Sequence, residues 1–143
     1  MLIHCVPSGP IDTNAYILID STNNCAIIDP GVDSQDAIVK IISEKKAIPK
    51  VILLTHSHWD HIGDVAFLHE HYSIPVYVHA EDSQNLEKPG SDGVPCWLEI
   101  KGMKPSRFVS DGEEIILGNS KLTVIHTPGH SPGSVCYYCQ KSH

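Results

Sequence analysis

The chain has 143 residues, of which 41% are hydrophobic and 19% charged, and this composition favours a soluble protein with one domain spanning residues 1–143. Asp and Glu outnumber Lys and Arg by 17 to 10, and the formal net charge of −7 argues against a nucleic-acid partner. No apolar run reaches the roughly 18 residues of a membrane helix. The N-terminus also lacks a signal-peptide pattern, so we expect a cytoplasmic protein without a membrane partner.

The pattern of apolar and turn-forming residues predicts early strands, then alternating helix and strand, then a run of strands. The predicted strands are residues 2–6, 15–19, 25–28, 50–55, 74–79, 107–110, 114–117, 121–126 and 134–139. The predicted helices run from a cap at Asp33 or Ser34 to about Lys46, over residues 62–72, and over residues 80–86. Residues 88–95 predict an irregular loop, which either borders a pocket or is a surface excursion. The order of elements indicates an α/β fold, a mixed sheet with helices outside.

Three imidazoles and one carboxylate follow the predicted strand at residues 50–55 within a few positions of one another. His56 and His58 are two residues apart, so on an extended segment both rings point the same way and can reach one ion. A third neutral nitrogen would leave a fourth position open, as in a catalytic zinc site. Asp60 and His61 come just after, where they can face a second ion. Without an ion to share, these side chains would be costly neighbours.

Three short motifs resemble those of the metallo-β-lactamase fold superfamily. The HxHxDH sequence at residues 56–61 follows an apolar strand, as in the first ligand motif of that superfamily. The sequence HTPGHSPGS at residues 126–134 resembles the second ligand motif, and DPG at residues 29–31 resembles a third element. The order of the three motifs is similar to that of small glyoxalase II-like hydrolases.

The resemblance implies two metal sites built from imidazoles and a carboxylate. The ligands it implies for the first site are His56, His58 and His130, and those for the second are Asp60 and His61. It places Asp29 beside the metal-bearing loops, where a carboxylate can hold imidazole N–H groups. His126 opens the second motif but does not correspond to a ligand of the family.

The fold that the resemblance implies is an αβ/βα sandwich, of which this chain holds the N-terminal half and the first strands of the second half. The family's bridging aspartate and last histidine have no counterparts after Ser134, where no acid occurs and His143 lies outside the family's last motif. We therefore expect a C-terminally truncated chain with one zinc ion at the three-His site and a weak or absent second ion; iron or manganese also suits these ligands. An uncovered sheet face predicts either a fragment of a longer protein or a homo-oligomer.

The function implied by the resemblance is hydrolysis of a thioester, such as a hydroxyacylglutathione, or of an ester. The metal would lower the pKa of bound water, and Asp60 would orient that water or accept its proton. Two alternatives remain open: a mononuclear iron dioxygenase acting on sulfur compounds, and a metal-binding fragment without catalytic activity. A single iron with oxygen consumption would favour the first alternative over hydrolysis.

Overall fold

The computed structural model describes residues 1–140, and its strands form two sheets. The six strands of the first sheet, in spatial and chain order, are β1 Leu2–Ser8, β2 Thr13–Ile19, β3 Asn24–Ile28, β4 Ile48–Leu53, β5 Val76–His79 and β6 Arg107–Val109. The second sheet has three antiparallel strands, β7 Glu114–Leu117, β8 Ser120–His126 and β9 Val135–Tyr138. The α/β prediction with a mixed sheet is confirmed.

Strands β1 to β3 form an antiparallel meander, and β3 to β6 run parallel to one another. Parallel neighbours need crossover connections, and helices provide them. The helices are α1 Gln35–Lys45, α2 Trp59–Ile62, α3 Val65–Tyr72 and α4 Ser83–Glu87, the last preceded by a 3₁₀ turn at Ala80–Asp82. Because the carboxyl ends of parallel strands meet at one sheet edge, the segments after β3, β4 and β5 emerge side by side there. None of the helices described is long and apolar enough to cross a membrane.

The first sheet is covered on both faces, which explains the continuous apolar character of β4. One face packs against the helices, where Ile52 joins Ile38 and Leu68 in a buried cluster. The opposite face packs against the second sheet, where Leu53 meets Leu122. The result is a layer of helices, a mixed sheet and a three-stranded sheet, as the sandwich prediction for this part of the fold requires.

Two local predictions need correction. The predicted helix at 62–72 is two helices, α2 and α3, separated at Gly63 and Asp64. The first residue before α1 is Ser34, as predicted, but its side chain donates to the Gly31 carbonyl and does not cap the helix. The carboxylate of Asp64 accepts hydrogen bonds from the backbone N–H groups of Ser34 and Gln35 instead, at 2.7 and 2.8 Å. The helix start is therefore capped from 30 residues away, which no local pattern reveals.

Candidate metal centre

Three histidine rings from two distant segments meet beyond the carboxyl end of β4. The ring centroid of His56 lies 4.7 Å from that of His58 and 4.8 Å from that of His130, and the last two are 4.5 Å apart. Each ring offers a nitrogen within 4.8 Å of the others. His56 is buried, His58 is half-buried and His130 is exposed, so the cluster opens to solvent on one side. The structure thus brings together the three predicted ligands of the first metal site.

His56 provides the test of whether these residues suit a metal ion. Its Nδ1 lies 3.0 Å from the Thr55 hydroxyl, whereas its Nε2 is buried and has no hydrogen-bond partner among the residues described. An unpaired buried nitrogen costs free energy unless something binds it. Burial, reinforced by the neighbouring ring of His61, lowers the pKa of His56 to about 4. Its imidazole is therefore neutral near pH 7, as a metal ligand must be.

The predicted ligands of the second site lie on the other side of His56. Asp60 Oδ2 is 3.3 Å from His61 Nε2 and accepts a hydrogen bond of 2.7 Å from the Thr13 hydroxyl. Asp29, His56 and His61 each offer a ligand atom here, and these atoms lie within 4.8 Å of one another. The ring of His56 therefore borders both clusters. Although burial alone would lower the pKa of His61, its hydrogen bond to Asp29 and the charges of Asp29 and Asp60 raise it. These two carboxylates contact both ring nitrogens of His61 and hold the ring between them.

Asp29 joins the end of β3 to the segment that carries the histidines. It accepts hydrogen bonds from the backbone N–H of Thr55 at 2.7 Å and from the Thr55 hydroxyl at 2.5 Å, and it contacts His61 Nδ1 at 3.1 Å. Gly31, two residues on, packs so closely that a Cβ there would lie 2.2 Å from the Asp60 carbonyl oxygen. The position that the sequence predicted for Asp29, beside the metal-bearing loops, agrees with these contacts. The close packing at position 31 explains why that residue is a glycine.

Asp82 joins the two histidine-bearing segments, although no sequence motif marks it. This buried carboxylate accepts hydrogen bonds from the backbone N–H of Ser57 at 3.0 Å, the Ser131 hydroxyl at 2.7 Å and the backbone N–H of Gly133 at 2.7 Å. Ser57 lies between two predicted ligands, and Ser131 follows His130. A Cβ at Gly133 would lie 2.7 Å from Asp82 Oδ1, so glycine allows this approach. In sequence Asp82 resembles an ordinary residue at a helix start.

The second sheet is attached at the same edge. The backbone N–H of Val135, the first residue of β9, donates to the Thr55 carbonyl at 2.8 Å. The buried hydroxyl of Tyr137 donates to the Leu54 carbonyl at 2.9 Å. Burial, with the charges of Asp29 and Glu113, raises the pKa of Tyr137, so this hydroxyl remains a donor. The residues just before His56 therefore contact β9 of the second sheet.

The loop at residues 88–95 borders a cavity of about 340 Å³ next to the histidines. Asn85 anchors the loop, because its side-chain oxygen accepts from the backbone N–H groups of Gly90 and Asp92 while its amide donates to the Ser57 carbonyl. Asp92 Oδ2 then lies 3.9 Å from His58 Nε2. Of the two interpretations of this loop, the pocket border is the one that the structure favours. His58, Asp92 and His130 all line the cavity.

Comparison with known proteins decides the family. The family model described as "Metallo-beta-lactamase superfamily" matches residues 8–143. The chain belongs to the metallo-beta-lactamase superfamily. The predicted family and fold class are thereby confirmed. The three-His cluster consists of side chains from the HxHxDH and HTPGH motifs of this chain.

Two curated relatives cover almost the whole chain. A "Probable metallo-hydrolase YqgX" from Bacillus subtilis is 42% identical over 135 residues, which are 93% of this chain and 63% of that protein. A "Hydroxyacylglutathione hydrolase GloC" from Haemophilus influenzae is 31% identical over 141 residues, or 94% of this chain and 65% of that protein. The chain thus spans about two thirds of the length of these relatives, in agreement with the expectation that it is shorter than other family members.

Two solved structures are similar in both fold and sequence. The crystal structure of the BLEG-1 B3 metallo-beta-lactamase has a TM-score of 0.89 and 39% identity over 98% of this chain and 68% of that chain. The protein TTHA1623, in a di-iron-bound form, has a TM-score of 0.81 and 36% identity over 94% of this chain and 66% of that chain. The fold is therefore shown, whereas the ligand roles of individual residues stay predictions.

Proposed function

We propose that the chain is part of a metal-dependent hydrolase that cleaves thioesters, with zinc at the site of His56, His58 and His130. The observation that carries the proposal is the convergence of three imidazoles around the unpaired, buried Nε2 of His56. Three neutral nitrogens leave a further coordination position open, the arrangement of catalytic zinc sites. A metal ion bound there supplies Lewis acidity and lowers the pKa of water.

We assign the handling of the proton in this reaction to Asp60. Its Oδ2 accepts a hydrogen bond from the Thr13 hydroxyl at 2.7 Å and lies 3.3 Å from His61 Nε2, so two contacts at one oxygen fix the carboxylate. In this role the carboxylate of Asp60 orients the attacking water and accepts its proton. His61, whose pKa is raised by Asp29 and Asp60 against the effect of burial, contacts this carboxylate through Nε2 and steadies it.

The substrate class rests on similarity and on the character of the cavity. The relative named as a hydroxyacylglutathione hydrolase supports a thioester. In the part of the cavity that residues 1–140 form, three acidic side chains, Glu81, Asp82 and Asp92, line the wall, and no Lys or Arg does. This lining favours a neutral acyl group next to His58 and His130, so that a negatively charged thiol portion would lie elsewhere. A neutral acyl thioester therefore belongs in the assay beside hydroxyacylglutathione.

The test measures thiol release by metal-stripped protein after loading with zinc, iron(II) or manganese. We expect metal-dependent hydrolysis of the thioesters, loss of both metal and hydrolysis in His58→Ala, and no change in His71→Ala, which removes an exposed histidine remote from the cluster. Unchanged metal stoichiometry in His58→Ala would contradict the site assignment.

The same preparations separate the alternative functions. Oxygen consumption by the iron-loaded protein with a thiol substrate, without hydrolysis, would support the dioxygenase. Metal bound in stoichiometric amount without turnover of any thioester or ester would indicate a metal-binding chain without activity. Assaying a longer native form in parallel shows which of these outcomes belongs to the 143 residues alone.

A further inference from the structure

A second group of metal-ligating side chains lies outside the centre described above. His79 is the last residue of β5, Glu81 lies in the following 3₁₀ turn, and His126 is the last residue of β8. Each offers one ligand atom within 4.8 Å of the others. None of the three belongs to the ligands predicted from the sequence. Histidine and glutamate from two sheets thus converge at one point on the surface.

The distances within this group are close to those of a coordination sphere. Glu81 Oε2 lies 3.8 Å from His79 Nδ1 and 3.7 Å from His126 Nε2. A tetrahedral zinc ion, with bonds of about 2.0–2.2 Å, places its ligand atoms roughly 3.4 Å apart. A contraction of a few tenths of an ångström therefore suffices for the carboxylate, whose side chain is 57% exposed and free to adjust.

We propose that His79, Glu81 and His126 form an auxiliary site for a divalent transition-metal ion, with zinc as the best match. Two imidazoles and one carboxylate are a ligand set that zinc accepts. The imidazoles are largely covered, with 14% and 26% of their side-chain surface exposed, while Glu81 faces water. An ion can enter from the carboxylate side, and water completes its coordination.

Binding requires rearrangements that make this site weaker than the three-His site. The rings of His79 and His126 are stacked with their centroids 4.2 Å apart and their planes at 13°. Because the nitrogen lone pair lies in the ring plane, the rings must rotate toward each other to share one ion. His126 Nε2 must also leave the Pro132 carbonyl oxygen, which is 2.9 Å away. In the three-His cluster the rings already lie at 68–82° to one another.

Because of its location, an ion at the auxiliary site would affect the loop that carries His130. His126 lies just before the loop that carries His130. His79 and Glu81 lie just before Asp82 in the chain. Glu81 lines the same cavity as His58 and His130. An ion held between these segments would fasten the His130 loop to the end of β5, beside the hydrogen bonds that Asp82 already makes. Occupancy would therefore restrict the loop and the rim of the cavity.

Equilibrium dialysis of the metal-stripped chain against Zn²⁺ tests the proposal by binding alone. We expect the wild type to show a weaker equivalent in addition to its tighter binding. Glu81→Gln, a change at an exposed side chain, should lower the affinity of that weaker equivalent at least about tenfold, since it removes an anionic ligand. The matched control is Glu87→Gln, another exposed glutamate of the same segment. The tight equivalent should persist in both variants.

A His61→Ala variant distinguishes the auxiliary site from the second half of the main centre. If the proposal is right, the weaker zinc equivalent remains in His61→Ala and is lost in His126→Gln. Equal weak binding by Glu81→Gln and Glu87→Gln overturns the auxiliary site. So does disappearance of the weak equivalent in His61→Ala alone, which would assign it to Asp29, His56 and His61. These readouts do not depend on whether the chain hydrolyses thioesters.

Discussion

The two clusters that share His56 differ in what satisfies their side chains. His58 and His130 converge on the unpaired Nε2 of His56 from the solvent side. His61, by contrast, already contacts Asp29 at Nδ1 and Asp60 at Nε2, and Asp60 also receives the Thr13 hydroxyl. One cluster has a buried nitrogen without a partner among residues 1–140, whereas in the other two carboxylates contact both nitrogens of His61.

This difference predicts an order of metal binding. A cation entering the three-His cluster satisfies a buried nitrogen and breaks no internal hydrogen bond of His56 Nε2. A cation entering beside His61 must displace the Asp60 contact, and it meets the charge of the first ion a few ångströms away. We therefore expect sequential loading, with the three-His cluster occupied first.

Removing the shared ring should have the largest effect, because His56 borders both clusters. In His56→Ala we expect loss of all tight metal binding and a fall in hydrolysis of at least about 100-fold, since metal activation contributes several kcal/mol to the rate. Metal analysis after gel filtration and thiol release measure the two effects. Retention of one tight equivalent would show that His58 and His130 suffice without it. His69→Ala is a poor control, because its Nδ1 contacts the Ile74 carbonyl oxygen; His71→Ala is preferable.

Asp82 tests whether the two histidine segments act as one unit. Asp82→Ala leaves the Ser57 and Gly133 N–H groups and the Ser131 hydroxyl without their buried acceptor. We expect a loss of about 2–4 kcal/mol in the free energy of unfolding and a roughly 10- to 100-fold weaker tight zinc equivalent. Urea denaturation and zinc titration measure these separately.

Asp82→Asn keeps the side-chain volume and one acceptor oxygen. This second variant keeps the test usable if Asp82→Ala fails to fold. If the carboxylate positions the ligands, Asp82→Asn should remain folded and still bind zinc more weakly than the wild type. Wild-type zinc affinity in a folded Asp82→Asn chain would show that the residue stabilises the fold alone.

His61→Ala should separate the clusters with a smaller effect. The tight equivalent at His56, His58 and His130 should stay, and any second equivalent beside Asp60 should be lost. We expect hydrolysis to fall roughly 10- to 100-fold, because Asp60 loses a partner that fixes its carboxylate. Zinc titration with parallel kinetics checks this. Loss of the tight equivalent would mean that the two clusters are one site.

The sequence predicted which histidine segments converge, because the signal there is dense and local. Residues 56–61 follow a strand whose apolar run is visible, and the fold places His130 where the second motif implied. Asp82, Asp64 and Asn85 were not predicted, because each acts on backbone groups about 25 to 50 residues away. A single carboxylate or amide among turn residues carries no local signal of such a partner. The predicted domain extends to residue 143, and residues 141–143 lie outside the part of the chain that the structure describes.

The two faces of the second sheet provide the last and smallest test. Its inner face buries Leu117, Leu122 and Val124, whereas Ile116 and Ile125 on the outer face are 67% and 42% exposed. We expect the outer face to associate with a second copy of this chain, because exposed apolar strands bind apolar surfaces. Ile116→Lys with Ile125→Lys should shift sedimentation toward the monomer and change the free energy of unfolding of the monomer by only about 0.5 kcal/mol. Ile11→Lys, which changes another exposed isoleucine outside the second sheet, is the control. Equal sedimentation of the wild type, the double variant and the control at all concentrations would exclude this contact, because a self-association that depends on the outer face must respond to two charges placed on it.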